Sequence, residues 1–85
     1  MEPAPVEPSY TVAAEWDAEA MVWVATSNDV PGLATEAETF EALAEKLRLM
    51  VPELLELNGV LSPAAAAAVR FRIVAERDEL ASAVA

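Results

Sequence analysis

Hydrophobic and polar positions alternate from Tyr10 to Trp16, with Tyr10, Val12, Ala14 and Trp16 on one side and Thr11, Ala13 and Glu15 on the other. Successive side chains of a strand point to opposite faces, so this spacing predicts a half-buried strand. Asp17 to Ala20 supplies a turn, and Met21 to Ser27 is expected to form a second strand. That strand differs from the first. Met21, Trp23 and Ala25 on one side are matched by Val22 and Val24 on the other, so both of its faces are apolar. Asn28, Asp29, Val30, Pro31 and Gly32 then gather the residues a turn needs, with proline fixing φ and glycine permitting positive φ. A short third strand is expected over Leu33 to Ala37.

The period then changes. Counting about 100° per residue from Phe40, the positions Phe40, Leu43, Ala44, Leu47, Met50, Val51, Leu54, Leu55 and Leu57 fall within an arc of roughly 160°. The opposite arc holds Glu41, Glu45, Lys46, Arg48, Glu53 and Glu56, and only Ala42 and Leu49 break the pattern. Thr39 stands where an N-cap belongs, with Glu38 and Glu41 near the positive end of the helix. Pro52 costs roughly 3 kcal/mol inside a helix and alone argues for a break after Val51. The apolar arc nevertheless continues in register through Leu54, so one helix bent around the core, with Pro52 on its solvent side, is expected. Gly59 after Asn58 is the expected stop.

Ser62, Pro63 and the alanines 64–68 offer no polar face and are expected to be mostly a connection, with at most one helical turn. Val69, Phe71, Ile73 and Ala75 alternate with Arg70, Arg72, Val74 and Glu76, which predicts a fourth strand. A strand–helix–strand crossover makes the third and fourth strands parallel and lays the helix across one sheet face. The expected fold class is α+β: a two-layer βββαβ domain whose four-stranded mixed sheet is covered on one face by a long helix. Residues 1–9, with three prolines and two glutamates, are expected to be a disordered leader, residues 10–77 the domain and residues 78–85 a tail.

Charge narrows the functional classes. The formal net charge is −10, and ten of the fifteen acids precede Lys46, the first basic residue of the chain. Such a surface repels phosphate backbones and steers basic proteins toward itself, so the chain alone is not expected to bind nucleic acid. No apolar run approaches the roughly 20 residues that span a membrane, and an export signal is not expected at the start, which together suggest a cytoplasmic protein. A chain of 85 residues buries only about 60–65% of its unfolded surface. Without Cys or His there is neither a disulfide nor a zinc site to add stability, so a homodimer or higher oligomer is expected.

The same absences remove the serine–histidine and cysteine–histidine routes to hydrolysis. Glu15, Asp17 and Glu19 form the densest carboxylate group, the basis of an alternative in which a cryptic enzyme uses Mg²⁺. Their place around a hairpin turn favours a solvated structural role instead. Arg70 and Arg72 share one side of the fourth strand, where Glu15 is expected to lie across the ladder and neutralise one of them. The second strand is the more informative feature, because a single helix covers only one sheet face. Either Val22 and Val24 or Met21 and Trp23 must face outward, and an exposed apolar patch on an open sheet marks an interface.

The run from Tyr10 through Ala37, followed by Thr39, Phe40, Glu41, Ala42 and Leu43, resembles the HicB-like antitoxin domain. More narrowly, 14–17, 22–25, 31–33, 36–37 and 51–58 resemble an uncharacterised bacterial family grouped with HicB-like proteins. The resemblance spans about residues 10–77. It implies a reduced ribonuclease-H-like βββαβ fold with strand order 3-2-1-4, without nuclease activity, since the metal-binding carboxylates of true nucleases have no counterparts here. It also implies binding to a small, basic, RNA-cleaving toxin of the HicA type. HicB antitoxins commonly carry a C-terminal DNA-binding segment, and the chain ends about eight residues after the fourth strand, so autorepression by this chain alone is not expected. The expected function is therefore a non-catalytic protein-binding domain holding a basic partner, with a homo-oligomeric structural module as the alternative. The residues expected to bind are Val22, Trp23 and Val24 of the second strand and Glu41, Glu45 and Glu53 of the helix. No catalytic, metal or cofactor-binding residue is assigned, and no cofactor is required.

Overall fold

The computed structural model describes residues 10–83. The expected leader therefore lies outside the described residues. The chain forms β1 (Tyr10–Asp17), β2 (Val22–Thr26), β3 (Ala34–Ala37), α1 (Phe40–Leu57), a short α2 (Pro63–Ala66) and β4 (Phe71–Glu76). The strands make one sheet in the order β3-β2-β1-β4. β2 is antiparallel to both neighbours and β4 is parallel to β1, as the crossover through α1 requires. The α+β class and the strand order agree with the sequence reading.

Burial fixes which way the sheet faces. Val12, Ala14, Ala25 and Ala37 from the strands meet Leu43, Leu47, Val51 and Leu55 from α1, with Val30 and Leu33 closing one end. Ala14 and Ala25 are cross-strand neighbours. Their small side chains leave room for the fully buried leucines of α1, so the helix supplies bulk where the sheet supplies none. The four buried helix positions are spaced i, i+4, which lines them up on one ridge.

Both ends of α1 are closed by the residues expected to do so. The Ala42 N–H donates to Thr39 Oγ1 at 3.0 Å. At the other end Gly59 has φ 71°, with its N–H donating to the Glu56 carbonyl at 3.1 Å and the Val60 N–H donating to the Leu55 carbonyl at 2.9 Å. These paired bonds are a Schellman stop. Pro52 lies inside the helix without ending it, although it is half-buried rather than wholly on the solvent side. Continuing past it buries Leu55 completely and Leu54 partly. At about 1.5–3 kcal/mol for a fully buried leucine, that offsets most of the roughly 3 kcal/mol cost of the proline.

Two turns anchor the sheet. Asp17 Oδ1 accepts from the Glu19 and Ala20 N–H groups, both at 3.1 Å, and Met21 follows with φ 60°, so β2 starts at Val22 rather than at Met21. After β2, Ser27 Oγ donates to the Thr11 carbonyl at 2.6 Å while the Asp29 carboxylate accepts from the Thr11 N–H at 2.8 Å. Side chains thus serve the β1 backbone where β2 has ended. The Leu33 N–H then closes on the Val30 carbonyl at 3.2 Å around Pro31 and Gly32, whose φ of 76° is the type II arrangement.

Further details sharpen or correct the expectation. β3 begins at Ala34 because Leu33 is drawn into the core as the last residue of the turn. The alanine segment does form a helical turn, α2, because Ser62 Oγ accepts from the Ala65 N–H and Pro63 occupies the first turn, where its missing N–H costs nothing. Leu57, placed in the apolar arc by period alone, is 78% exposed at the helix end.

Three substitutions separate these contributions by urea denaturation. Thr39→Ala is expected to lower stability by about 1 kcal/mol through the lost cap. Gly59→Ala should cost about 1 kcal/mol through backbone conformation alone, because a Cβ there would meet nothing within 4 Å. Leu47→Ala should cost about 3 kcal/mol through the cavity it leaves. A loss at Leu47 no larger than at the caps would contradict the placement of the core.

Candidate functional site

The strand register decides the question left open at β2. Trp23 pairs with Trp16 and Ala37, and Ala25 with Ala14, all on the helix side of the sheet. Trp23 packs edge-on between Trp16 and Phe40, with ring centroids 5.6 Å from each. Val22 and Val24 consequently face the open side. Trp23 is therefore removed from the expected outer patch, because the aromatic cluster holds it inside.

On that outer face the residues fall into rows across the sheet. Glu36, Val24, Glu15 and Glu76 form one row, and Ala34, Thr26, Ala13 and Val74 form the next. Thr11 and Arg72 follow. The expected neighbour of the arginines is corrected by this register. Glu15 lies beside Glu76, not beside Arg70 or Arg72, because Tyr10 and Val12 pair with Phe71 and Ile73. Two adjacent carboxylates destabilise a ladder locally and raise the value of any cation placed over them. Among the described residues the ion pair present joins Arg77 to Glu79. Val74 is 44% exposed, and Val22 and Val24 are half-buried.

Glu41, Glu45 and Glu53 lie on the exposed side of α1, turned away from the sheet. The six residues expected to bind a partner are thus divided among two opposite surfaces and the interior. The helix surface has a feature that a simple polar arc does not predict. Glu45, Leu49, Glu53 and Leu57 are spaced i, i+4 and make one ridge of alternating acids and leucines, with Leu49 72% exposed. Leu49 entered the sequence reading only as an exception to the apolar arc. Lys46 is occupied at the edge of this surface, donating through Nζ to the Glu36 carbonyl of edge strand β3 at 2.6 Å.

The acidic hairpin is structural in at least one of its members. Asp17 holds the turn through its two accepted N–H bonds. Among the described residues no group of three or more Asp, Glu, His or Cys side chains is placed to hold a metal ion. Nearby, the Arg77 guanidinium carbon sits 4.2 Å from the centroid of the Trp16 ring and closes the exposed end of the aromatic cluster. The adjoining cleft of about 320 Å³ is lined by Glu15, Trp16, Ala18, Glu76, Arg77 and Asp78. Its mostly charged lining differs from the apolar, enclosed sites that take small molecules.

A family described as a domain of unknown function, DUF1902, matches residues 9–83. The chain belongs to this family. The match spans all the described residues, and it agrees with the expectation of an uncharacterised family. The chain is also similar to a solved structure, that of the hypothetical protein TTHA1013 from the extremely thermophilic bacterium Thermus thermophilus. It is 53% identical, covers 82% of this chain and 97% of its own, and superposes with a TM-score of 0.64. No curated protein matches the chain. Among the described residues, no helix is long and apolar enough to cross a membrane.

The structural role of the hairpin acid is testable by thermal denaturation. Asp17→Ala is expected to cost about 1 kcal/mol, since it removes the acceptor of two turn N–H groups, whereas Glu19→Ala should change stability by less than about 0.5 kcal/mol. Equal effects at the two positions would remove the special role of Asp17.

Proposed function

We propose that this DUF1902 chain is a non-catalytic protein-binding domain, antitoxin-like, that holds a small basic partner of the HicA-toxin type on the outer surface of α1. The observation that carries the proposal is the ridge of Glu45, Leu49, Glu53 and Leu57, flanked by Glu41 and Glu56. A helix surface exposed to water alone gains nothing from two protruding leucines. Between glutamates, each leucine supplies an apolar anchor inside an electrostatic field that attracts a basic surface. The net charge of −10 acts in the same direction at longer range, raising the encounter rate with a cationic protein and opposing contact with nucleic acid. The HicB resemblance of the strands and helix start supplies the class of partner. The proposed role is cytoplasmic, where an RNA-cleaving toxin would act, and it needs no cofactor.

The proposal is tested by titrating the purified chain with a HicA-type toxin at several salt concentrations. Binding should weaken as salt rises. Glu45→Lys with Glu53→Lys should slow association by on the order of tenfold and flatten the salt dependence. Leu49→Asp should raise the dissociation rate, with a loss of about 1–3 kcal/mol. Absence of binding at low salt, or binding indifferent to all three substitutions, would sink the proposal.

A further inference from the structure

The outer sheet face carries a charge order that complements itself when turned over. Along β4, Arg72 and Glu76 stand on this face two residues to either side of Val74. Val74 ends the row that runs through Ala13 and Thr26 to Ala34. We propose that this face is the interface of a symmetric homodimer, in which a second copy stacks sheet to sheet about a two-fold axis running across the strands over that row.

The geometry follows from the register. Turning one sheet over about this axis opposes its strand directions to those of the other and sets each residue of the row against its own counterpart. Positions one step above the row then exchange with positions one step below. Arg72 of each copy arrives over Glu76 of the other, beside Glu15, and supplies a cation to two adjacent carboxylates that form no ion pair among the described residues. Ala13, Ala34 and Thr26 are small, so stacked sheets at the usual spacing of about 10 Å let Val22, Val24 and Val74 reach across. The long arginine side chain absorbs the offset from a sheet rotation of about 30°.

The same charge order argues for a second copy over a basic partner. A cationic protein would find Glu15, Glu36 and Glu76 on this face but would leave Arg72 opposed by like charge, whereas a copy of the chain sets that arginine over Glu76. The size of the face sets the strength. Four strands about 4.8 Å apart, averaging about six residues, give roughly 350 Å² per copy, or about 700 Å² in total. Stable complexes bury about 1,200–2,000 Å², so the dimer is reversible and dependent on concentration.

Sedimentation velocity of the full chain, from low micromolar to near-millimolar concentration, tests this directly. A reversible monomer–dimer equilibrium is expected. Arg72→Glu and Glu76→Arg should each weaken it by on the order of tenfold, and the double charge swap should restore it. Val74→Lys places like charges together on the axis and should also abolish the dimer; all three sites are exposed, so the monomer fold should persist by circular dichroism. A monomer at every concentration, a dimer indifferent to the single variants, or no recovery in the double variant would overturn the proposal. So would dimerisation that begins only when residues 1–9 are removed, which would assign the face to that segment. If the variants abolish toxin binding and leave self-association intact, the face belongs to a different protein and the homodimer is wrong. Failure of the homodimer would leave the toxin-binding proposal standing, because that rests on α1.

Discussion

The burial of Leu43, Leu47, Val51 and Leu55 against an alanine-lined sheet is the constraint on which the other features of the domain depend. A strand has only two faces, so once Ala14 and Ala25 must lie under these side chains, the direction of every other strand residue follows. Trp23 goes in with Ala25, and Val22 and Val24 go out. A shift of one residue in β2 would reverse them all and place the indole in solvent, which is why a small core can still specify a single register. The same burial carries the helix past Pro52, since ending at Val51 would leave Leu54 and Leu55 uncovered.

With so small a core, polar interactions at the edges do much of the positioning. Thr39 and Gly59 set the length of α1. Asp17 shapes the β1–β2 turn, and Ser27 and Asp29 serve the backbone of Thr11 where the ladder stops. Each such bond is individually modest, about 0.5–1.5 kcal/mol, but each serves a backbone group that would otherwise be left without a partner. Asn58 reaches from the end of α1 to the Leu54 and Pro31 carbonyls, tying the helix stop to the turn before β3. The described residues contain no buried polar side-chain atom without a partner.

The two surfaces left by this arrangement have different characters. One is a helix ridge that alternates acids with exposed leucines, and the other is a sheet face with both charge signs around valines and small residues. They lie on opposite sides of two layers, so a single flat partner cannot cover both. Assigning a basic protein to the first and a second copy of the chain to the second gives each surface a partner of matching charge. Such a division would let a domain of this size self-associate without giving up its partner-binding surface.

Much of the fold was legible in the residues. The period-two runs marked three strands, the 3.6-residue arc marked α1 across its proline, and Thr39 and Gly59 marked its ends. These are local effects, set by side-chain spacing and by backbone preferences that act within a few residues. Strand order came from a family resemblance, because pairing between distant segments leaves no periodic trace. The site was less legible. The sequence alone showed that β2 is apolar on both sides and that the chain is acidic, but not which way β2 faces, that Glu15 lies beside Glu76, or that Leu49 and Leu57 stand exposed among glutamates. Those depend on the parallel register of β4 and on where the sheet stops beneath α1. Only tertiary packing decides them, because each turns on which of two chemically acceptable faces lies nearer the buried leucines.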